Sequence, residues 1–365
     1  MKRIAVGAWL LGRMLVGLAF GLASLADQSR PFGERGRLAE GLVTWDGGWY
    51  KSIATLGYHA DGEDLRFSPL FPALGRLVGF LFLGNTTLGL VVVANLAALG
   101  ATWLAIVYAD LVKPQASPEA RRHQAIGVGL AVTLWPASFV MVFAYAESLL
   151  MVFALGAAIA ARRGHWALAA AFGVLCGVTR PTGMAVALLL GAIALDDFRA
   201  RSVRPTPPVA LAVASPFVGF GLHLAVAQRV SGRWRDPIDI QSPLRGDFVD
   251  PFSRLGRGFV DLVADDTFGD GLHFPFAVAV IVMVYVVARE LGWPEAVFSA
   301  AVVVVALGAD NWNSLERYAL SAFPLMLGIG MLLARHRRIG ALVAAGSGVG
   351  FVALTVLSWS GHYVP

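Results

Sequence analysis

The chain has 365 residues, of which 57% are hydrophobic and 15% are charged. Its mean hydropathy of +0.67 exceeds what a domain of this size needs to fill a core, which excludes an ordinary soluble globular protein. The formal charge of +5 comes from arginines spread over many short loops rather than gathered in one basic stripe. This pattern favours membrane topology over nucleic-acid binding.

Long apolar runs without polar alternation predict membrane-spanning helices rather than barrel strands. We expect an all-α, polytopic protein with about eleven spans, forming one integral-membrane domain over residues 1–365. The predicted spans are 4–26, 88–112, 124–144, 147–161, 166–178, 184–195, 208–229, 274–289, 294–308, 318–334 and 339–358. The run after Lys2 and Arg3 is long for a signal peptide and contains Arg13, so an uncleaved first helix is expected.

The positive-inside rule sets the predicted orientation. With the N-terminus inside, the short inner loops hold arginine clusters such as Arg162/Arg163 and Arg335/Arg337/Arg338. Counting the short apolar segment 68–83 as a span would move these clusters outside, so we predict a re-entrant or interfacial helix there. Two long loops, 27–87 and 230–273, then lie outside.

The first outer loop contains the run Trp45-Asp46-Gly47-Gly48-Trp49-Tyr50-Lys51, followed by Phe67-Ser68-Pro69. Its aromatic residues suit an amphipathic helix at the membrane interface, and this is the structural alternative for the whole motif. That alternative leaves Asp46 unexplained, since a carboxylate at the headgroup boundary is costly unless it is paired. Asp46 is therefore the candidate catalytic residue.

Three shorter motifs fall in the predicted outer turns. Glu147 begins a helix, where the helix dipole favours a carboxylate whatever the function. Arg180, in Thr179-Arg180-Pro181, interrupts an apolar run, and it either binds phosphate or neutralises Glu147 or Asp46. Arg317, followed by Tyr318, is a second candidate ligand for an anionic group.

Cofactor sites are not expected from the sequence. The single cysteine, Cys176, has no partner, and the seven histidines lack metal-ligand spacing. We therefore predict neither a disulfide nor a built-in zinc or haem site.

Taken in order, the motifs at 45–58, 67–72, 145–149, 179–183 and 316–318 resemble the PIG-V mannosyltransferases, which belong to the GT-C class of polyprenyl-phosphate-sugar transferases. The resemblance implies an inverting mannosyltransferase that takes polyprenyl-phosphate-mannose as co-substrate and a glycolipid or glycan as acceptor. The resemblance also implies an acidic catalytic residue in the first outer loop, where Asp46 falls. This loop offers one aspartate rather than an adjacent acidic pair, so no metal site is predicted and a divalent-metal requirement stays open.

The implied substrate site gathers residues from all these motifs. Arg180, Arg317 and Lys51 are the candidates for binding the donor phosphate, with Glu147, Trp45, Trp49, Tyr50 and Tyr318 as further substrate-binding residues. The excess of arginine over lysine suggests a bacterial protein, and hence the plasma membrane. The predicted orientation places the site on the outside of that membrane, or on the lumenal face of the endoplasmic reticulum if the chain is eukaryotic. A transporter or lipid flippase is the alternative from another class, and a catalytically inactive GT-C-like subunit is a third.

Overall fold

The computed structural model describes residues 1–28, 36–200, 204–241, 243, 246, 248–264 and 269–365. Within these ranges the regular elements are helices, and one isolated β-bridge joins Phe248 to Ala309. The α-helices are α1 Lys2–Gln28, α2 Asp46–Leu56, α3 Leu70–Gly79, α4 Thr86–Val112, α5 Pro118–Leu134, α6 Glu147–Arg162, α7 Trp166–Thr179, α8 Val186–Arg199, α9 Pro207–Ser231, α10 Asp236–Asp239, α11 Pro251–Ala264, α12 Asp270–Glu290, α13 Trp293–Leu307, α14 Leu315–Ser321, α15 Phe323–Arg335 and α16 Arg337–Trp359. Short 3-10 helices lie at Leu38–Val43, Glu63–Arg66, Phe80–Phe82, Pro136–Met141 and Pro181–Ala185.

Each of the eleven predicted spans overlaps a helix, and the structure confirms a polytopic, all-helical membrane protein. The predicted span 124–144 is wrong in its second half, because α5 ends at Leu134 and a 3-10 helix and turns follow. Among the described residues, six helices are long and apolar enough to cross a membrane: α1, α4, α9, α12, α16 and the segment Pro181–Arg199. A seventh is counted if α14 and α15, bent by 87° at Ala322, form one broken span.

The four other predicted spans are shorter helices. Helices α5, α6, α7 and α13 have 17, 16, 14 and 15 residues. At 1.5 Å per residue such helices reach roughly 21–26 Å, less than the roughly 30 Å of a hydrocarbon core. The count of eleven thus includes segments that do not cross a bilayer by their own length.

The segment predicted to be re-entrant or interfacial is helix α3 with the 3-10 turn after it. It is too short to span, and it packs on α4 through glycines: a Cβ on Gly89 would lie 2.0 Å from the Gly75 carbonyl oxygen. Its apolar tip is exposed, with Leu81 at 80% and Leu83 fully accessible. An exposed apolar tip suits the membrane interface.

Helices α7 and α9 also approach each other closely. A Cβ on Gly177 would lie 1.9 Å from the Pro216 carbonyl oxygen, and a Cβ on Gly219 would lie 2.1 Å from that of Val174. Small residues at such crossings let two backbones touch within a membrane. This contact fixes the end of α7, and with it the backbone that carries Arg180.

Helix α11 is amphipathic. Phe252, Phe259 and Val263 are exposed along its length. Arg254 is buried instead, and it pairs with Asp270 at the start of α12. Arg254 is therefore a structural residue that fixes α11 to α12.

Candidate active site

Asp46 is the first residue of α2, and its carboxylate pairs with Arg317. The Asp46 side chain is 22% exposed, and its backbone N–H donates to the Tyr145 hydroxyl at 3.2 Å. Trp45, which precedes it, has φ of 55°, in the left-handed region that residues with a Cβ seldom adopt. The carboxylate thus stands at a tightly held helix start, in contact with a cation from α14.

Glu147, the first residue of α6, connects this pair to a second arginine. Its Oε1 accepts a hydrogen bond from Arg180 and lies 3.3 Å from Arg317 Nε. Within the described residues, Glu147 Oε2 has no hydrogen-bond partner. Two carboxylates and two guanidinium groups from four separate segments therefore form one continuous cluster, Asp46–Arg317–Glu147–Arg180, which we call the charge cluster.

Nearby positive charges keep Asp46 ionised. Burial by itself would raise the pKa of this carboxyl group, but its ion pair and hydrogen bond with Arg317 act in the opposite direction. Arg180 and Arg66 lower the pKa further, and the net result is a pKa below the ordinary value of 3.8. The carboxylate is therefore unprotonated at neutral pH and free to accept a proton.

Glu316 and Arg317 face in different directions, as expected for neighbours on a helix. The Glu316 carboxylate is fully buried, and it accepts hydrogen bonds from His273 Nδ1 at 2.8 Å and the Tyr363 hydroxyl at 2.9 Å. The Trp135 indole donates to the Glu316 backbone oxygen at 2.8 Å. These contacts anchor α14 and direct Arg317 toward Asp46.

A cavity of about 720 Å³ opens beside the charge cluster. Seven of the predicted site residues line it: Trp45, Asp46, Trp49, Tyr50, Arg180, Arg317 and Tyr318. Glu147 lies behind the lining, where it bridges the two arginines. Lys51 is exposed and does not line the cavity, because it points from a different side of α2 than Asp46 and Tyr50.

The sequence interpretation missed several residues of the cavity wall. Arg37 lies 3.9 Å from the Trp45 ring centroid and pairs with Glu40, and Arg66 lies over Trp49 and Phe67. Arg66 directly precedes the Phe67-Ser68-Pro69 motif. Its position beside this aromatic motif was the only sequence feature that could have indicated a place in the cavity wall. Tyr145 lies outside the cavity lining, but its hydroxyl group accepts the Asp46 backbone N–H, a contact that the sequence motif did not indicate.

No group of three or more His, Cys, Asp or Glu side chains that could hold a metal ion occurs in the described ranges. The carboxylates of the cavity wall are paired with arginines.

No family model matches the chain, and no curated protein matches it. Solved structures of the Archaeoglobus fulgidus oligosaccharyltransferase show a distant likeness. The complex with Zn and sulfate superposes with a TM-score of 0.49 at 12% identity, over 98% of this chain and 53% of that one. The form tethered to an acceptor peptide containing the NVT sequon gives 0.45 at 12% identity, over 96% and 55%. The complex of AglB with an inhibitory peptide and a dolichol-phosphate gives 0.41 at 11% identity, over 95% and 54%.

The chain spans about half the length of these structures. At this level of similarity the comparison assigns neither a family nor a function. Function is therefore inferred from the charge cluster and its cavity.

Proposed function

We propose that this protein is an inverting glycosyltransferase that moves mannose from a polyprenyl-phosphate-mannose donor to a hydroxyl of a glycolipid or lipid-linked acceptor. The observation that carries the proposal is an ionised carboxylate, Asp46, set among arginines in a cavity at one end of a bundle of membrane helices. The choice of mannose comes from the PIG-V resemblance alone. We place the reaction on the extracytoplasmic face, on the basis of the arginine-rich loops at the opposite end.

In the proposed reaction, Asp46 accepts the proton of the acceptor hydroxyl as its oxygen attacks the anomeric carbon. The bond from that carbon to the phosphate oxygen breaks on the opposite face, which inverts the configuration. The bonding electrons leave with the polyprenyl phosphate, which needs no proton because phosphate is a good leaving group. General-base catalysis of this kind contributes about 10²–10⁴ in rate.

The arginines supply the electrostatic part. Arg180 and Arg317 line the cavity, where Glu147 and Asp46 balance their two positive charges, and their guanidinium groups can donate hydrogen bonds to an entering phosphate. Fixed charges in a poorly hydrated site stabilise the charge that develops on the leaving phosphate. Amide side chains of Gln241, Asn311 and Asn313 also line the cavity, and they suit the hydroxyl groups of a sugar.

The position of the charges favours an enzyme over a transporter or flippase. Asp46, Glu147 and Arg180 all lie at helix ends, on the same side of the bundle. Arg13, a charge within α1, donates to Asn95 Oδ1 at 2.9 Å and to the Met141 backbone oxygen at 3.1 Å. Its role is therefore structural, and it does not mark a path through the membrane.

The deciding experiment is transfer of radiolabelled mannose from synthetic polyprenyl-phosphate-mannose to membrane lipid extracts by the purified protein. Asp46→Asn should reduce transfer by about 10²-fold or more. Glu63→Gln is the matched control, because Glu63 is an exposed carboxylate of the same loop, and it should transfer at the wild-type rate.

The three other outcomes separate the alternatives. Equal transfer by wild type and Asp46→Asn would remove Asp46 from the role of base. Transfer of another sugar from the same lipid carrier would correct the donor and keep the enzyme class. No transfer from any polyprenyl-phosphate sugar would favour the transporter or the inactive subunit.

A further inference from the structure

Among the arginines that line the cavity, Arg66 differs in having no carboxylate partner. Arg37 pairs with Glu40, and Arg180 and Arg317 belong to the charge cluster. Within the described part of the chain, no ion pair to Arg66 occurs, and its Nε is buried without a hydrogen-bond partner. A cation of this kind in a cavity wall is available to an anion without the loss of an existing contact.

The guanidinium group of Arg66 is held by aromatic rings. Its Cζ lies 4.8 Å from the Phe67 ring centroid and 5.6 Å from that of Trp49. These two rings stack on each other at 6.1 Å with an interplanar angle of 22°. Stacking of this kind orients a planar guanidinium and leaves its edge donors for a ligand.

The backbone around Arg66 is fixed by His223 of α9. His223 Nε2 donates to the Leu65 carbonyl oxygen at 2.9 Å, since a carbonyl can only accept. His223 Nδ1 then accepts from the Ser68 hydroxyl at 3.1 Å. Residues on both sides of Arg66 are thereby tied to one buried ring.

Two more contacts complete this support. The Tyr58 hydroxyl donates to the Phe67 carbonyl oxygen at 2.7 Å. Asp64, the buried carboxylate nearest in sequence, is bound by His59 Nδ1 at 2.8 Å, which directs it away from Arg66. The arginine is thus positioned before any ligand arrives, which lowers the entropic cost of binding.

From this geometry we propose that Arg66 is the primary ligand of the phosphate group of the isoprenoid-linked substrate. The inference builds on the proposed function and adds a residue that the sequence motifs did not select. Arg66, stacked on the rings of Trp49 and Phe67, binds the phosphate first. As the sugar–phosphate bond breaks, Arg180 and Arg317 stabilise the negative charge that develops on the phosphate. Arg66 carries no proton to or from the reaction.

The test measures binding and needs no turnover. Thermal stabilisation of the full-length protein in detergent is titrated with geranylgeranyl phosphate, with geranylgeraniol as the probe that lacks phosphate. The variants are Arg66→Gln and Arg66→Lys, and the matched control is Arg76→Gln, since Arg76 is an exposed arginine of α3 outside the cavity lining. Short-chain phosphatidic acid tests whether a membrane-lipid headgroup supplies the phosphate instead.

We expect geranylgeranyl phosphate to stabilise the wild type and Arg76→Gln with the same apparent Kd. Arg66→Gln should weaken its binding about tenfold or more, because a hydrogen bond to a charged group is lost, while binding of the alcohol stays unchanged. Arg66→Lys should fall between them, since it keeps the charge and loses the planar fork. If Arg66→Gln does not fold, Arg66→Lys alone decides the question by the same comparison.

The failing outcomes are distinct. Equal phosphate binding by the wild type and the Arg66 variants overturns the role of Arg66 and leaves the proposed function standing. Equal, Arg66-dependent stabilisation by phosphatidic acid assigns the site to a membrane lipid and overturns the donor assignment. No binding of geranylgeranyl phosphate to the wild type contradicts the proposed function itself.

Discussion

Two residues with positive φ stand at the starts of the helices that carry Asp46 and Arg317. Trp45, with φ of 55°, precedes Asp46, and Ser314, with φ of 70°, begins the helix that carries Arg317. Such conformations cost about 1–3 kcal/mol each and persist only where neighbouring contacts hold them. The Trp45 indole donates to the Ser358 backbone oxygen at 3.0 Å, which provides such a contact.

The ion pair with Arg317 sets the pH range in which Asp46 can act as a base. Because the pKa of Asp46 is lowered below its ordinary value, the carboxylate stays ionised as pH falls, and we expect protonation to remove the proposed base only at a pH below that ordinary value. In Arg317→Gln, burial remains and the main opposing charge is gone, so the pKa rises. We expect the acid limb of the kcat/KM profile of this variant to move to higher pH.

The measurement is the rate of mannose transfer at low donor concentration, for wild type and Arg317→Gln, over a pH range that begins below the ordinary aspartate pKa of 3.8. Arg257→Gln serves as the control, because its ion pair with Asp310 is half exposed. Superimposable acid limbs for wild type and Arg317→Gln would show that Asp46 is not the titrating base.

Glu147 compensates two buried arginines, and its loss should destabilise the protein. Glu147→Gln leaves Arg180 and Arg317 with one carboxylate, Asp46, between them. Breaking a buried ion pair costs about 3–5 kcal/mol, because the remaining charge is not compensated. We expect a clear fall in the unfolding temperature, measured by thermal denaturation in detergent.

The pair Glu119–Arg337 offers a comparison for this prediction. Its side chains are 74% and 65% exposed, and exposed pairs contribute about 0–1 kcal/mol. Glu119→Gln should therefore melt with the wild type. Equal melting of Glu147→Gln and Glu119→Gln would mean that the charge cluster adds nothing to stability.

At the scale of helices, the sequence predicted where helices lie along the chain better than it predicted which residues of different helices contact each other. Apolar runs located all eleven predicted spans and the short α3, since length and hydropathy are local properties. The motifs around Asp46, Glu147 and Arg180 were assigned to one face by the positive-inside rule, and the structure brings them together. That Asp46 pairs with Arg317, 271 residues away, was not predictable, because such contacts depend on helix packing.

There is a physical reason why the sequence did not identify some residues of the site correctly. In the sequence, Arg66 resembles any other loop arginine. It is a candidate ligand because no ion pair to it occurs among the described residues and its Nε is unpaired, and these properties depend on the folded structure. Lys51 was included because of its place in the Trp-Asp motif, yet it points away from the cavity. The roles assigned to the site residues stay predictions until the variants are measured.

The crossing of α7 and α9 gives a prediction about helix packing. Gly219→Ala would place a methyl group 2.1 Å from the Val174 carbonyl oxygen, so the helices must separate and the backbone at Arg180 must move. We expect a lower unfolding temperature and reduced transfer. Gly221→Ala, on the same helix with nothing within 4 Å, should be neutral or slightly stabilising, since alanine favours helix over glycine by about 1 kcal/mol.

Thermal denaturation and mannose transfer, measured together, check this pair of variants. Equal behaviour of Gly219→Ala and Gly221→Ala would show that the two helices tolerate separation. Loss of transfer in Gly219→Ala without loss of stability would locate the effect at Arg180 rather than in the bundle as a whole.

For the whole molecule, the proposed sidedness is testable by cysteine labelling. The single native cysteine, Cys176, is fully buried and should not react with a maleimide. Glu63→Cys, in the first outer loop, should be labelled by a membrane-impermeant maleimide on intact cells. Arg163→Cys, between α6 and α7, should be labelled only after permeabilisation, and the reverse pattern would invert the topology.

The contact between Asp46 and Arg317 also constrains how the protein matures during synthesis. Asp46 emerges from the ribosome early, and Arg317 follows 271 residues later, after most of the chain has been synthesised. Until α14 is in place, Asp46 lacks the cation that keeps it charged, and the cavity lacks one wall. A partly synthesised chain that lacks α14 therefore has neither the complete charge cluster nor the complete cavity.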